Sequence, residues 1–428
     1  MKSRRVVITG VGAIASGATG AKQLWRRVTQ GPAAGATIHR FDVSEYQSQI
    51  AAEVTVFDGV IYGLTPEQCQ VLDRSSQFAL AATMLAVADA DVDECIRRDP
   101  ERVGACMGTA IGGIEMMDYG FASAFVPDIT LNQRGQELMP QDGSFPSTMF
   151  RSFMPNTITT EIMAHFGLGG PCTTVSTGCT ASADAIGYAY TMIERGESDI
   201  MICGGSDAPL TPITLAAFDV IKAVTRRNNT PTQASRPFDR DRDGFLLAEG
   251  CGVLVLEDLE HAQSRHAPIY AELCGFGTSC NAYHMTGLPE DGEALARAME
   301  LALDDASVGR ERVGYINAHG SSTPQNDVNE TNAIKRVFGE RAYQIPVSGT
   351  KSAIGHPLGA AGALECIVTA LAIKHEFLPP TLNYQTPDPA CDLDYLPNQG
   401  RSARIDIALS NSSGFSGLHS VLVLGRVS

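Results

Sequence analysis

Strand-like and helix-like runs alternate along the whole chain, and that alternation leaves few folds open to it. Residues 5–9 read as a strand, 21–29 as a helix, and 75–90 as a longer helix with Ala, Leu and Val at 3–4 spacing. Residues 103–107 and 199–203 read as short buried strands, each followed by Gly. Such alternation predicts an α/β protein with helices packed on mostly parallel sheet. The pattern also repeats. Val6-Val7-Ile8-Thr9-Gly10-Val11-Gly12 is echoed by Tyr270-Ala271-Glu272-Leu273-Cys274-Gly275-Phe276-Gly277. Glu101-Arg102-Val103-Gly104 is echoed by Glu311-Arg312-Val313-Gly314, and the strand-like run 252–256 by 421–424. Three echoes in one order predict a duplicated α/β unit with its seam near residues 261–268. The halves are then 1–262 and 263–428. The excess of the first half lies at 111–155, rich in Met, Phe, Gly and Pro, and reads as an insertion that caps a site or makes a subunit interface.

Composition narrows the functional classes. The chain has 428 residues, 44% of them hydrophobic, enough for two or three domain-sized units with a large core. No run approaches the roughly 18 apolar residues of a membrane span. The basic start, Met1 to Arg5, leads into a first strand and not a signal peptide, so a cytoplasmic protein is expected. Eleven Cys without any C-x-x-C argue against a disulfide framework or a zinc site. A net charge of −16 without basic runs argues against nucleic-acid binding. Thr9-Gly10-Val11-Gly12-Ala13-Ile14-Ala15 mimics a dinucleotide-binding loop. No second strand ending in an acid follows about 20 residues on, so the mimicry is set aside.

One Cys among the eleven stands out. Val175-Ser176-Thr177-Gly178-Cys179-Thr180 joins an apolar strand to a helix over about 179–195. Ile186, Ala189, Tyr190 and Ile193 form that helix's apolar stripe, and Gly196 is its natural stop. Cys179 thus sits in the first turn, where free N–H groups and the helix dipole favour a thiolate. Gly178 permits the sharp bend that presents the sulfur. Two His occupy comparable turns. Ile316-Asn317-Ala318-His319-Gly320 is a strand end running into Ser321-Ser322-Thr323-Pro324, and ligands bind at that edge of α/β sheets. His356 ends Ser348-Gly349-Thr350-Lys351-Ser352-Ala353-Ile354-Gly355-His356 at the start of a small-residue helix, a position that resists ring protonation. Gly359, Ala360, Ala361, Gly362 and Ala363 let that helix pack closely, with the Cys179 helix as its expected partner. His39, His261, His266 and His375 read as surface or satisfied-core residues.

Ser176-Thr177-Gly178-Cys179, Asn317-Ala318-His319-Gly320 and Thr350-Lys351-Ser352 with Gly355-His356 resemble the three signatures of β-ketoacyl carrier-protein synthases. Ser235-Arg236-Pro237-Phe238-Asp239, Arg242-Asp243-Gly244-Phe245 and Asn411-Ser412 with Gly414-Phe415 extend the likeness over the chain. The resemblance implies the thiolase fold, built as duplicated α/β/α/β/α layers. Ser176-Thr177-Gly178-Cys179-Thr180, Leu247-Ala248-Glu249-Gly250 and Asn281-Ala282-Tyr283-His284-Met285-Thr286-Gly287-Leu288 are similar to the ketosynthase-alpha subunit of type II polyketide synthases; fatty-acid elongating relatives usually have Ala before the Cys.

The resemblance implies an acyltransferase performing decarboxylative condensation. Cys179 would take the acyl chain, and His319 and His356 would stabilise the malonyl enolate. Lys351 and Glu365 would order the His pair, and the Cys179 and Phe415 N–H groups would form the oxyanion hole. Phe415 would also gate the site; Ser321 and Thr323 would bind the pantetheine arm and Ile111 the substrate. The implied partners are an acyl carrier protein with its 4'-phosphopantetheine arm and a homologous chain-length factor, with no cofactor of the chain's own. Two departures stand out: Ser416 occupies a Gly-Phe-Gly-Gly loop position, and Thr65-Pro66-Glu67-Gln68-Cys69-Gln70 lacks the basic residues that fatty-acid relatives use toward the acidic carrier. Arg226 and Arg227 are candidates for that role. The alternatives are a homodimeric fatty-acid β-ketoacyl synthase, a non-catalytic chain-length or interaction subunit and a degradative thiolase, which would need a second Cys where this chain has Phe415 and Ser416.

Overall fold

The first strand, β1 (Val6–Ala15), is buried at every position, as a strand covered on both faces requires. The computed structural model of the chain describes residues 4–125, 136, 139, 145 and 149–427. β1 runs straight through Gly10 and Gly12, so the Gly-x-Gly is not a phosphate loop. A Cβ would lie 2.3 Å from the Ala86 carbonyl oxygen at Gly10 and 1.9 Å from that of Ala82 at Gly12. Both carbonyls belong to α1 (Arg74–Ala90), so these glycines let the helix lie close on the strand.

The first sheet is completed by β2 (Val103–Gly108), β3 (Cys172–Val175), β4 (Ile200–Asp207) and β5 (Gly250–Asp258), in the order β1-β5-β4-β2-β3. The second group is β6 (Ala271–Cys280), β7 (Val313–Asn317), β8 (Val347–Ser348), β9 (Ile407–Ser413) and β10 (Leu418–Gly425). It repeats the order as β6-β10-β9-β7-β8, and a short β1/β6 pairing joins the groups. The sequence echoes fall at equivalent places: in β1 and β6, at the entries to β2 and β7, and in β5 and β10. The expected duplication is therefore built strand for strand.

The expectation of a mostly parallel sheet is corrected. β2 is parallel to β3 and β4, and β7 to β8 and β9, but β5 and β10 run antiparallel to both neighbours. The reason is visible at β9 and β10. Only four residues, 414–417, connect them, and such a hairpin joins only antiparallel strands.

Helices α3 (Ala181–Glu194) and α7 (Ala361–His375) lie together between the sheets. α1 covers the outer face of the first sheet, and α5 (Glu293–Asp305), with α6 (Pro324–Phe338) beside it, covers that of the second. Small residues make the central contact possible. A Cβ on Gly362 would sit 2.9 Å from Ala183 Cβ, and Ala363 N donates to Ser182 Oγ at 2.8 Å. The segment Leu358–His375 is, against the sequence expectation, long and apolar enough to cross a bilayer, yet 89% of it is buried in the protein. A helix walled by protein on every side is apolar all round for that reason.

Of the insertion at 111–155, α2 (Ile114–Phe125) and a short helix (Met149–Phe153) are described; residues 126–135, 137–138, 140–144 and 146–148 lie outside the described residues. Phe121, Phe125 and Phe145 are exposed and share ring contacts of 5.7–6.2 Å.

Candidate active site

β3 delivers the chain to Gly178, whose φ of +66° only Gly adopts cheaply. Nothing lies within 4 Å of a Cβ built there, so conformation and not space demands the glycine. Cys179 occupies a single 3-10 turn, Gly178–Thr180, directly ahead of α3. The helix expected over 179–195 thus begins two residues later, and Gly196, at φ +75°, closes it as expected. The backbone N–H groups of Cys179 and Phe415 both favour the charged form of the Cys179 sulfur.

His319 follows β7 and His356 precedes α7; both are buried, 3% and 2% exposed. Their rings meet edge to face at 5.2 Å between centroids. Lys351 lies beneath them. Its ammonium donates to Glu365 Oε1 at 2.6 Å and to the His319 carbonyl at 2.6 Å, and sits 3.3 Å from His319 Nδ1. An ammonium can only donate, so Nδ1 accepts and the ring proton stays on Nε2. Backbone bonds pin His356: its N–H donates to Leu246 O at 2.8 Å, and Ala248 N–H donates to its carbonyl at 3.1 Å.

Cys179, His319 and His356 line one pocket of about 280 Å³ with Phe415, Ser321 and Thr323. Ser321 and Thr323 share a hydroxyl hydrogen bond of 2.9 Å. Ile111 is not in that lining; it packs with Cys179, Phe415 and Leu358 in an apolar cluster. A larger cavity of about 720 Å³, lined by Arg5, Tyr190, Glu272 and Asp406, contains none of these residues. Size alone would have misplaced the site. The convergence of titratable groups locates it.

The family models for the β-ketoacyl synthase N-terminal and C-terminal domains match residues 3–262 and 270–385. The chain belongs to the β-ketoacyl synthase family. It is 46% identical to the tetracenomycin polyketide synthase ketoacyl synthase alpha subunit of Streptomyces glaucescens, over 99% of this chain and 97% of that one. It resembles a solved ketosynthase bound to a hexaketide and in complex with its type II polyketide acyl-carrier protein, at TM-score 0.88 and 41% identity with both chains fully covered. The ishigamide ketosynthase/chain length factor structure matches at TM-score 0.89 and 35% identity, also with full coverage of both.

Electrostatics in this β-ketoacyl synthase differ from the sequence expectation in one respect. Burial pushes the Cys179 thiol up to about 12, and Asp207 adds to this; Lys351 and the two N–H groups pull it down. The sulfur rests as a thiol at neutral pH, although a helix start favours a thiolate. Both imidazoles are held well below their usual value, by burial first and the Lys351 charge next. Neutrality of His356, expected from a helix start, therefore has a stronger cause.

A pH prediction follows. The unfolded chain binds protons on these His below about 6.5 while the native rings stay neutral, so their contribution to stability is lost as pH falls through 6.5. Glu365, pushed up to about 7 by burial, acts in the opposite sense. The diagnostic is thus a difference. Between pH 7.5 and 5.5, the urea midpoint of wild type is expected to fall more than that of His356→Gln. Equal slopes would contradict the buried neutral ring.

Sequence reasoning missed three acids. Glu330 accepts from the N–H groups of His319 and Gly320, both at 2.9 Å, and holds the His319 turn. Asp207 accepts from Thr109 Oγ1 and from Ala110, Ile111 and Gly359 N–H, joining the wall behind Cys179 to the turn after His356. Its place at a buried strand's end after two glycines was a usable signal. Asp184, in α3, is the third; nothing in its apolar surroundings marked it.

Proposed function

We propose that the chain is the condensing subunit of a type II polyketide synthase, working beside a homologous chain-length factor. The observation that carries this is the convergence of a half-buried Cys and two neutral, buried His on one pocket. Cys179 Sγ attacks the thioester of a carrier-bound acyl chain; the bond to the pantetheine sulfur breaks, and that sulfur leaves with the Cys179 proton. A malonyl thioester then enters. Its bond to the carboxylate breaks, releasing CO2, and Nε2–H donors of His319 and His356 hold the enolate oxygen. The enolate carbon forms the new bond to the Cys179-bound carbonyl, the bond to Cys179 breaks, and the departing thiolate takes a proton from water. Donors aimed at a developing oxyanion are among the largest catalytic contributions, and splitting transfer from condensation eases each step.

Lys351 and Glu365 orient the His pair, and the Cys179 and Phe415 N–H groups receive the thioester oxygen. Ser321 and Thr323, at the same pocket as the His pair, bind the 4'-phosphopantetheine arm of the carrier, and Ile111 contacts the acyl chain beyond the sulfur. The halves 1–262 and 263–428 supply nucleophile and His pair respectively, and the protein works in the cytoplasm. The exposed aromatics of α2 belong to the subunit interface, since an apolar patch of this kind marks contact surface. Arg226 and Arg227 are partly engaged, 3.5 Å from Asp219 and Asp243, so their pull on an acidic carrier is weakened.

The test is reconstitution. With the neighbouring homologue, a carrier protein and a malonyl donor, intact-protein mass spectrometry is expected to show an acyl adduct on Cys179 and a carrier-bound polyketide. A homodimer that elongates fatty acyl chains unaided would move the chain to fatty-acid synthesis. An unmodified Cys179 under turnover would remove the mechanism.

A further inference from the structure

The backbone N–H groups of Cys179 and Phe415 both favour the Cys179 thiolate, and they sit on separate pieces of chain. One belongs to the 3-10 turn Gly178–Thr180 of the first half, the other to the hairpin tip 414–417 of the second. The pieces touch at Gly414, where a Cβ would meet Thr177 O at 3.4 Å and Cys179 N at 3.5 Å. Contact of that kind does not fix a spacing. Asp184 does. Its Oδ2 accepts from Thr177 Oγ1 at 2.5 Å and Thr180 Oγ1 at 2.9 Å, the residues on either side of Gly178 and Cys179. Thr180 Oγ1 also donates to Thr177 O at 3.0 Å, closing the turn. The other oxygen, Oδ1, accepts from Ser420 Oγ. Ser420 lies in β10, the strand leaving the hairpin tip, opposite Ser412 of β9.

All three partners are hydroxyls, and burial holds the carboxyl above its usual range. An acid half-buried with no cation beside it among the described residues is an expensive way to fasten a helix, and hydrogen bonds to a charged acceptor are the stronger and more directional kind. We infer that Asp184 is a positioning residue for acyl transfer, setting the distance between the Cys179 and Phe415 N–H groups by tying the nucleophile turn to β10. It touches neither substrate nor sulfur; it acts through Thr177, Thr180 and Ser420. The inference rests on acyl transfer to Cys179.

Ser420→Ala cuts the link to β10 and leaves the turn itself fastened. It is expected to lower kcat for acyl transfer about 10-fold with KM for the acyl carrier within about twofold, because a displaced donor loses part of the roughly 10²-fold that a deleted one costs. Alkylation of Cys179 by iodoacetamide between pH 8 and 10 is expected to slow by a similar factor, since the Phe415 N–H that favours the thiolate is withdrawn. This readout needs no carrier protein, so it separates failure of the positioning role from failure of the polyketide reading. Ser420→Thr, which keeps the hydroxyl, restores both rates, and Asp184→Asn combined with Ser420→Ala loses no more than Asp184→Asn alone. Wild-type alkylation and kcat in Ser420→Ala would overturn the role. So would a loss that Ser420→Thr does not restore and that follows a lowered urea midpoint, which would make the contact merely structural.

Discussion

Cys179→Ala is expected to lose acyl loading altogether and condensation by roughly 10³-fold or more, because a group that works as part of a unit takes most of the unit's effect with it. The fold should survive. Cys179 is half-buried at the pocket wall, and removing one sulfur there leaves space open to the pocket and not a sealed void, which limits the cavity cost. Circular dichroism and the urea midpoint should therefore match wild type within about 1 kcal/mol. Mass spectrometry with an acyl carrier checks the loading and a malonyl-dependent assay checks the condensation. A variant that condenses normally would remove Cys179 as the nucleophile, and any surviving acyl adduct on another of the eleven Cys would name its replacement.

Lys351→Met carries the second large effect, and here stability and activity are both expected to fall. Lys351 and Glu365 are each 1% exposed and 2.6 Å apart. Removing one partner leaves the other without compensation, a loss of about 3–5 kcal/mol for a buried pair. Part of it is recovered if Glu365 takes up a proton, which its upward shift to about 7 favours. Lys351 pulls the Glu365 carboxyl down, so its removal raises it further, and the stability deficit against wild type should shrink as pH falls toward 7 and change little below that, where Glu365 binds a proton in both proteins. The sign is that of a carboxyl whose native form binds a proton more tightly than the unfolded chain does. Activity is a separate matter. Without the ammonium, nothing beneath His319 assigns its proton to Nε2, and kcat is expected to fall by about 10²-fold, the order of losing one oxyanion donor. Lys351→Met with Glu365→Gln separates the two effects. The double variant should recover most of the stability in urea while kcat stays low. Recovery of both would make the pair a structural ion bridge with no part in orienting His319.

The three candidate site residues were legible because each combines a reactive side chain with a backbone demand that few residues meet. Gly178 must adopt a positive φ, and Gly355, at φ +76°, would place a Cβ 2.7 Å from Ala248 Cβ. Glycines of that kind mark sharp turns in a sequence, and turns at strand ends and helix starts are where sites form. The duplication was legible because β1 and β6 keep the same Gly pattern for the same purpose. Gly275 and Gly277 would place a Cβ 2.6–2.7 Å and 2.4 Å from α5 backbone or its end, as Gly10 and Gly12 do from α1.

Strand direction was not legible, because a short buried strand has the same apolar run whichever way its neighbour points. Nor were Glu330, Asp207 and Asp184. A buried acid looks in sequence like any surface acid, and only the N–H and hydroxyl groups gathered around it show otherwise. By itself, then, the sequence determined the α/β class, the repeat, and the Cys179, His319 and His356 turns, because local backbone and side-chain chemistry suffices for each. Tertiary structure alone decided the distances among them, the burial that keeps Cys179 a thiol and both rings neutral, and the Asp184 link between turn and hairpin. These depend on segments from 37 residues apart, for His319 and His356, to 236 apart, for Asp184 and Ser420, and no local pattern records which of them will meet.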